Sequence, residues 1–312
     1  MLKRNALRRI CISTFSLFIV LLLCIFPNND TTYSEQIITV NELTIPIYIK
    51  DQNNYVARTN IIKKESDEIE YIISLLTKGS INENYLPMNF EATIPENTKL
   101  LDYSLNNKIL KLNFSKELLN VNVNDEKQMI ESIIYSLCEL DNVDKILIFV
   151  ENEKLNELPN SKIKLPISLD KSYGINKVYD INSFKNITKS TVYYISKIDN
   201  TTYYVPITKI TNESANPVEI IVNELKTSPI YESNLISFLN ASYELKNYEI
   251  MEKTVNISFD NKMILNINDE NITEKVKYTL ALSIRDTLGK DVNININWYI
   301  EIIFLEYFSI FT

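Results

Sequence analysis

From residue 44 onward, apolar and polar positions alternate with two different periods. Thr44-Ile45-Pro46-Ile47-Tyr48-Ile49 and Tyr55-Val56-Ala57 are β-rich and flank polar Asp51 to Asn54, the pattern of a strand pair. Ile69, Ile72, Ile73 and Leu76 then recur at helical spacing. Ser66 is placed to cap that helix, and Asp67 and Glu68 sit at its positive end. Residues 100–105 and 109–114 around Asn106-Asn107 predict a hairpin. Lys108, Lys111 and Asn113 alternate there with Ile109, Leu110 and Leu112, which predicts one solvated face. A second helix starts at Asp125, with Gln128 in capping-box position, and buries Met129, Ile130, Ile133, Ile134, Leu137 and Cys138. Residues 145–150 close the unit as a strand.

The same order is written again. Ile69-Glu70-Tyr71-Ile72-Ile73 matches Val218-Glu219-Ile220-Ile221-Val222, Asp102-Tyr103-Ser104-Leu105 matches Asn247-Tyr248-Glu249-Ile250, and Tyr135-Ser136-Leu137 matches Tyr278-Thr279-Leu280. The offset drifts from 149 through 145 to 143, as small loop deletions would produce. That period is too long for a solenoid and reads as a tandem domain duplication. The second copy has strands at 191–198 and 202–210, then a helix capped by Asn216 with Pro217 at its first position. A hairpin at 245–250 and 254–259, a helix from Thr273 and a strand at 292–297 complete it. The expected fold class is α+β, an N-terminal transmembrane anchor followed by two homologous ββ-α-ββ-α-β domains. The divisions are a basic tail and anchor at 1–27, a stalk at 28–42, domains at 43–151 and 190–297, a linker at 152–189 and a hydrophobic tail at 298–312. A polar linker of that length is expected to permit domain motion.

The anchor is read from Lys3, Arg4, Arg8 and Arg9, followed by an apolar run over 10–26 that Pro27-Asn28-Asn29-Asp30 stops. As a helix the run reaches about 25 Å, a little short of a ~30 Å hydrocarbon core. Leu7 and snorkelling Arg8 and Arg9 extend it. The basic end stays in the cytoplasm and the rest of the chain lies outside. The reading is an uncleaved single-pass anchor. A lipid on Cys24 is an alternative, although Leu23 before it is not the small residue such a site wants, and secretion after cleavage is a third.

Composition removes much chemistry. The chain of 312 residues has no histidine and three glycines, so imidazole-dependent nucleophiles and Gly-rich phosphate loops are excluded. Without the four basic residues of the anchor, 28 basic residues face 40 acidic ones, a net of −12 that disfavours nucleic acid. Cys138 is the one cysteine outside the anchor, so a disulfide framework is absent, and its place on an apolar stripe reads as core. Glu68, Glu70, Glu219 and Glu224 are read as helix-face charges rather than as a glycosidase pair. Asp260, Asn261, Asp269, Glu270 and Asn271 lack the loop glycine and spacing of a calcium loop. No catalytic residue, cofactor or metal is expected. Tyr193, Tyr194, Tyr203 and Tyr204 sit in adjacent strands, where consecutive side chains point to opposite faces. One of each pair is therefore a candidate partner contact. Residues 298–312, Trp-Tyr-Ile-Glu-Ile-Ile-Phe-Leu-Glu-Tyr-Phe-Ser-Ile-Phe-Thr, have no counterpart in the first copy. They are read as an interfacial anchor, a partner-binding helix, a strand extension or, the favoured reading, an aberrant frame.

Several stretches resemble the GerM-type sporulation and spore germination family, whose unit is the GerMN domain. They are Val192-Tyr193-Tyr194-Ile195-Ser196-Lys197, Tyr203-Tyr204-Val205-Pro206-Ile207-Thr208-Lys209 and Glu219-Ile220-Ile221-Val222-Asn223-Glu224-Leu225-Lys226. Ser228-Pro229, Ile264-Leu265 and Leu75-Leu76-Thr77-Lys78-Gly79 fit as well, although Ser80 stands where the family often has proline. The resemblance covers about 44–150 and 190–297. It implies a non-catalytic, membrane-anchored protein in the space between mother cell and forespore. Its implied partners are other sporulation membrane proteins in an envelope-spanning complex, with a ring-type oligomer among the possibilities. The alternative function is an extracytoplasmic module that binds cell-wall glycan or peptide.

Overall fold

In the first copy, strands β1 (Thr44–Asp51) and β2 (Val56–Ile62) form a hairpin, and helix α1 (Glu68–Leu76) follows. Short β3 (Phe90–Glu91), the hairpin β4 (Leu100–Asn106) and β5 (Ile109–Phe114), helix α2 (Glu126–Leu137) and β6 (Lys145–Val150) complete the copy. The second copy has β9 (Thr188–Ile198), β10 (Thr201–Thr211), α3 (Pro217–Lys226), β11 (Tyr243–Met251), β12 (Thr254–Asn261), α4 (Glu270–Leu288) and β13 (Asn293–Ile300). Between them the connector contributes β7 (Glu153–Lys154) and β8 (Val178–Asp180). This computed structural model describes residues 44–64, 67–198, 201–227, 234–239, 243–261, 270–289 and 291–300. The proposed anchor with Cys24, the stalk, Ser66, Asp269 and residues 301–312 lie outside them. No helix among the described residues is long and apolar enough to cross a membrane.

Both copies build the same small mixed sheet. β4 and β5 pair antiparallel and β5 and β6 parallel; β11 and β12 pair antiparallel and β12 and β13 parallel. A bulge falls between Leu100 and Asp102 in one copy and between Leu245 and Asn247 in the other, the same irregularity at equivalent places. The β4–β5 turn consists of Asn107 and Lys108, both at positive φ, as a tight hairpin turn requires. Strand β13 runs to Ile300, so Trp298 to Ile300 extend the ladder beside Phe259 to Asn261.

Local chemistry departs from expectation in four places. Asp67 is the cap of α1, accepting from Ile69 N and Glu70 N. Asp125 has helical backbone angles and makes no capping bond, because the chain enters α2 through a turn on Asn122 O. Asp125 instead pairs with Lys50, and Gln128 donates to Asn54 O. Asn113 is buried rather than solvated, its amide donating to Asp102 Oδ2 at 2.7 Å and to Asn152 Oδ1 at 3.1 Å. Helix α4 begins at Glu270, before the expected Thr273.

The largest departure is the relation between the copies. β2 and β10, the second strands of the two hairpins, pair antiparallel at Arg58 and Tyr204. One six-stranded sheet therefore runs through both copies, with β9 and β8 also on β10 and β3 on β1. Antiparallel pairing of equivalent strands relates the two hairpins by a local two-fold at this junction. The connector is packed rather than loose: Leu158, Leu169 and Ile175 are buried. Asn176, at φ 45°, fills the junction. It accepts from Val56 N and donates to Val56 O and Pro206 O, so it bonds to both copies at once.

Candidate functional site

Backbone groups of β1 and β9 that point away from β2 and β10 are met by the long helices in equivalent ways. In the first copy Tyr48 N donates to Ser136 Oγ of α2 at 2.8 Å. In the second, Tyr193 N donates to Ser283 Oγ of α4 at 2.9 Å. Thr287 of α4 accepts from Thr191 N in the same manner. Hydroxyls on a helix thus satisfy backbone groups that an edge strand would otherwise offer to another chain. The equivalence Ser136 to Ser283 also moves the helix alignment by one turn from the Tyr135–Tyr278 match. A shift of four residues keeps the same helix face and leaves the apolar stripe looking alike.

Three residues beyond each serine stands an acid, Glu139 and Asp286, and these meet at the centre of the seam. Lys171 Nζ, from the connector, lies 2.6 Å from Glu139 Oε1 and 2.7 Å from Asp286 Oδ1. Tyr48 OH donates to Glu139 Oε1 at 2.7 Å, Tyr193 OH donates to Asp286, and the two hydroxyl oxygens are 2.7 Å apart. Glu139, Tyr48, Tyr193 and Asp286 form a row with three contacts and two phenolic protons, so the protons are shared among the contacts. Arg58 Nη1 donates to Tyr278 OH at 2.6 Å, and the Tyr278 ring packs on Tyr204.

Electrostatics follow from this crowding. Burial alone would raise the Glu139 pKa, but Lys171 and then Arg58 outweigh it and hold the carboxyl down to about 2. Burial would lower the Lys171 pKa, yet Asp286 and Glu139 together raise it. Burial and the two nearby carboxylates push both Tyr48 and Tyr193 well above the ordinary phenol range. These groups are charged or neutral in the pattern that the ion pairs require, and each is engaged by another. A cleft of about 340 Å³ opens beside Lys171 and Asp286, with Lys189, Arg285, Thr191 and Thr208 on its walls.

The four tyrosines singled out in the sequence are interior residues of this fold. Tyr193, Tyr194 and Tyr203 are buried and Tyr204 is half-buried. Tyr203 OH donates across the copies to Asp51 Oδ2 at 2.9 Å, its ring packs edge-on against Phe90, and burial pushes its hydroxyl up to about 12. Tyr194 packs in the second copy's core with Val205 and Ile207, whereas Tyr193 belongs to the first copy's core. The expectation that one of each pair faces outward fails because the hairpin has a core on each face.

The carboxylates tested as a catalytic pair have separate partners. Glu219 accepts from Tyr248 OH, Glu224 pairs with Lys209, and Glu68 pairs with Lys63. Cys138 is buried, its thiol 3.8 Å from Asp144 O. Glu139, Lys171, Asp286, Tyr48 and Arg58 escaped notice in the sequence. The available signal was the spacing Ser-x-x-acid at the end of each long helix, with a tyrosine at the same place in each first strand.

A second, larger cleft of about 590 Å³ lies between α2, β10 and the connector. Lys127, Lys164, Lys177, Lys189, Tyr179 and Phe184 are on its walls.

Residues 46–156 match the family model described as Germane, sporulation and spore germination. The chain is 26% identical to the spore germination protein GerM of Bacillus subtilis strain 168 over 266 residues, 82% of this chain and 72% of that protein. The fold is similar to the tandem GerMN domains of the sporulation protein GerM from Bacillus subtilis, with a TM-score of 0.72 at 22% identity. That match covers 82% of this chain and 90% of the other. The first GerMN domain of the same protein aligns with 41% of this chain and 98% of its own length, at 21% identity and a TM-score of 0.40.

Proposed function

The chain belongs to the GerM-type sporulation and spore germination family, and from that premise we propose that it is a membrane-anchored, non-catalytic assembly component of an envelope-spanning complex between mother cell and forespore. The observation that carries this reading is the state of the seam. Its ionisable groups converge, as they would in an active site, but Lys171 is held by two carboxylates and each carboxylate by a tyrosine. Such a cluster welds two domains into one presenting surface. In the central sheet, helix hydroxyls meet backbone groups of β1 and β9 at Tyr48, Thr191 and Tyr193. β4, β11 and, within the central sheet, β8 each pair on one side only among the described residues, and they are edges offered to partners. The 10–26 run supplies the tether, which raises the effective concentration of weak contacts.

A second reading, an extracytoplasmic module for cell-wall glycan or peptide, draws on the larger cleft and its aromatic walls. Imaging a functional fluorescent fusion through a sporulation time course tests the first reading. Enrichment at septal and engulfing membranes, absent from vegetative cells, is expected. A uniform envelope signal in growing cells would remove the assembly reading and leave the wall-binding one.

A further inference from the structure

The larger cleft gathers positive charge in an acidic protein. Lys127, Lys164, Lys177 and Lys189 line it against Glu131 and Asp170, in a chain of net charge −8. The carboxylates are already engaged. Glu131 is buried, accepts from Asn176 N at 2.9 Å and pairs with Lys177 at 3.1 Å, and Asp170 accepts from Ser172 N at 2.9 Å. Lys164 shares Glu157 at the exposed rim. Lys177 is committed to Glu131, so the positive field offered to an incoming anion comes from Lys127 and Lys189, with Lys164 at the rim.

Large apolar groups stand among the lysines. Phe184 is 92% exposed and Tyr179 is 64% exposed. Phe184 rides on a turn that Asn212 pins. The Asn212 side chain accepts from Asn182 N and Ser183 N and donates to Ser183 O and Lys185 O, at 2.7 to 3.1 Å. An exposed ring held by a fixed turn loses little freedom when it is covered, so its burial appears as affinity. Tyr179 belongs to β8, whose one ladder among the described residues is with β10. Its other side is an open edge for an extended backbone.

We propose that this cleft docks an acidic segment of a partner protein in extended conformation. Its carboxylates sit on Lys127, Lys164 and Lys189, and one aromatic or aliphatic side chain packs against Phe184 and Tyr179. The inference rests on the assembly reading in taking the occupant to be a partner's chain. A neutral glycan would gain nothing from Lys127, Lys164 and Lys189. A polyol phosphate would bring no apolar group to Phe184 and no backbone to β8.

The test is fluorescence anisotropy of the full chain in non-ionic detergent. The probes are fluorescein-labelled peptides that permute Glu and Asp around Phe, Tyr or Leu. Saturable binding that weakens with added salt is expected. Phe184→Ser and the pair Lys127→Glu with Lys164→Glu should each weaken it about tenfold or more, a change of about 1.4 kcal/mol. Phe184→Leu should retain most of it, and the charge-matched pair Lys99→Glu with Lys145→Glu should leave it unchanged. The proposal is overturned by absence of saturable binding, or by equal loss in the control pair. Displacement by poly(glycerol phosphate) with indifference to Phe184→Ser would also overturn it and assign the cleft to a polyanion. Peptide binding in a protein that fails to enrich at the septum would sink the sporulation reading alone. Enrichment without peptide binding would sink this inference alone.

Discussion

The hydroxyl of Tyr48 lies 2.7 Å from that of Tyr193, which is 145 residues further along the chain. Each tyrosine occupies the same place in its copy: first strand of the hairpin, backbone N–H on a helix serine, hydroxyl on the acid three residues beyond that serine. A duplicated motif meets its own image here. Replacing Tyr48 by Phe removes one donor from this buried row and should cost about 1–2 kcal/mol. In a double-mutant cycle with Tyr193→Phe, urea denaturation should give a coupling energy of at least about 0.5 kcal/mol. Strict additivity would show that the two hydroxyls do not act together.

Lys171 is the cation that makes the seam affordable to two carboxylates, and its side chain is only 15% exposed. Lys171→Met leaves Glu139 and Asp286 facing each other without it and should destabilise the protein by about 3–5 kcal/mol. Replacing all three by apolar or amide residues of similar size should recover much of the loss, because the desolvation cost disappears with the charges. A triple variant as unstable as Lys171→Met would contradict this account.

Acid should weaken the seam in a defined window. Glu139 is held down to about 2 from its ordinary 4.5, so its contribution is fully present above about pH 5 and is lost as pH falls toward 2. The size is on the order of 3 kcal/mol. Burial raises Asp51 and Glu131 instead, and both act in the opposite sense. Their effect is common to the wild type and Glu139→Gln, so the stability difference between those two proteins isolates Glu139. That difference should be largest at neutral pH and close as acid is added.

Equivalent caps should show unequal costs. Asp67→Ala removes two backbone bonds at the start of α1 and the partner of Tyr103 OH, whereas Asn216→Ala removes one bond at the start of α3. Losses of about 1–2 and about 1 kcal/mol are expected. Thermal melts of the two variants, with Tyr103→Phe added to each, would show whether the tyrosine accounts for the excess.

The shared sheet predicts one cooperative transition for the whole chain, monitored by calorimetry and by tyrosine fluorescence. The second copy expressed without the first should be markedly less stable, because Ala57, Tyr55 and Phe90 of the first copy pack into its core. Two resolved transitions in the intact chain would mean that the junction at Arg58 and Tyr204 does not couple the domains.

The pattern of apolar positions determined the elements of each copy, their order and the duplication, because helix and strand periods are local properties of the chain. The correspondence of Tyr103 with Tyr248 was legible for the same reason, whereas the matching bulges beside them appear only in the strand register. The sequence also determined the absence of imidazole chemistry. Tertiary structure alone decided that the copies are joined rather than tethered. Nothing in β2 or β10 read singly shows that Arg58 will pair with Tyr204, since strand pairing depends on partners more than 140 residues apart. That junction covers the face of β9 and β10 turned toward the first copy, which is why Tyr193 is interior and Tyr204 half-buried, while Tyr194 and Tyr203 lie in the second copy's core. It also brings Glu139, Lys171 and Asp286 to one point. Charges that carry no signal along the chain become a buried lock only when two copies of one fold close on each other.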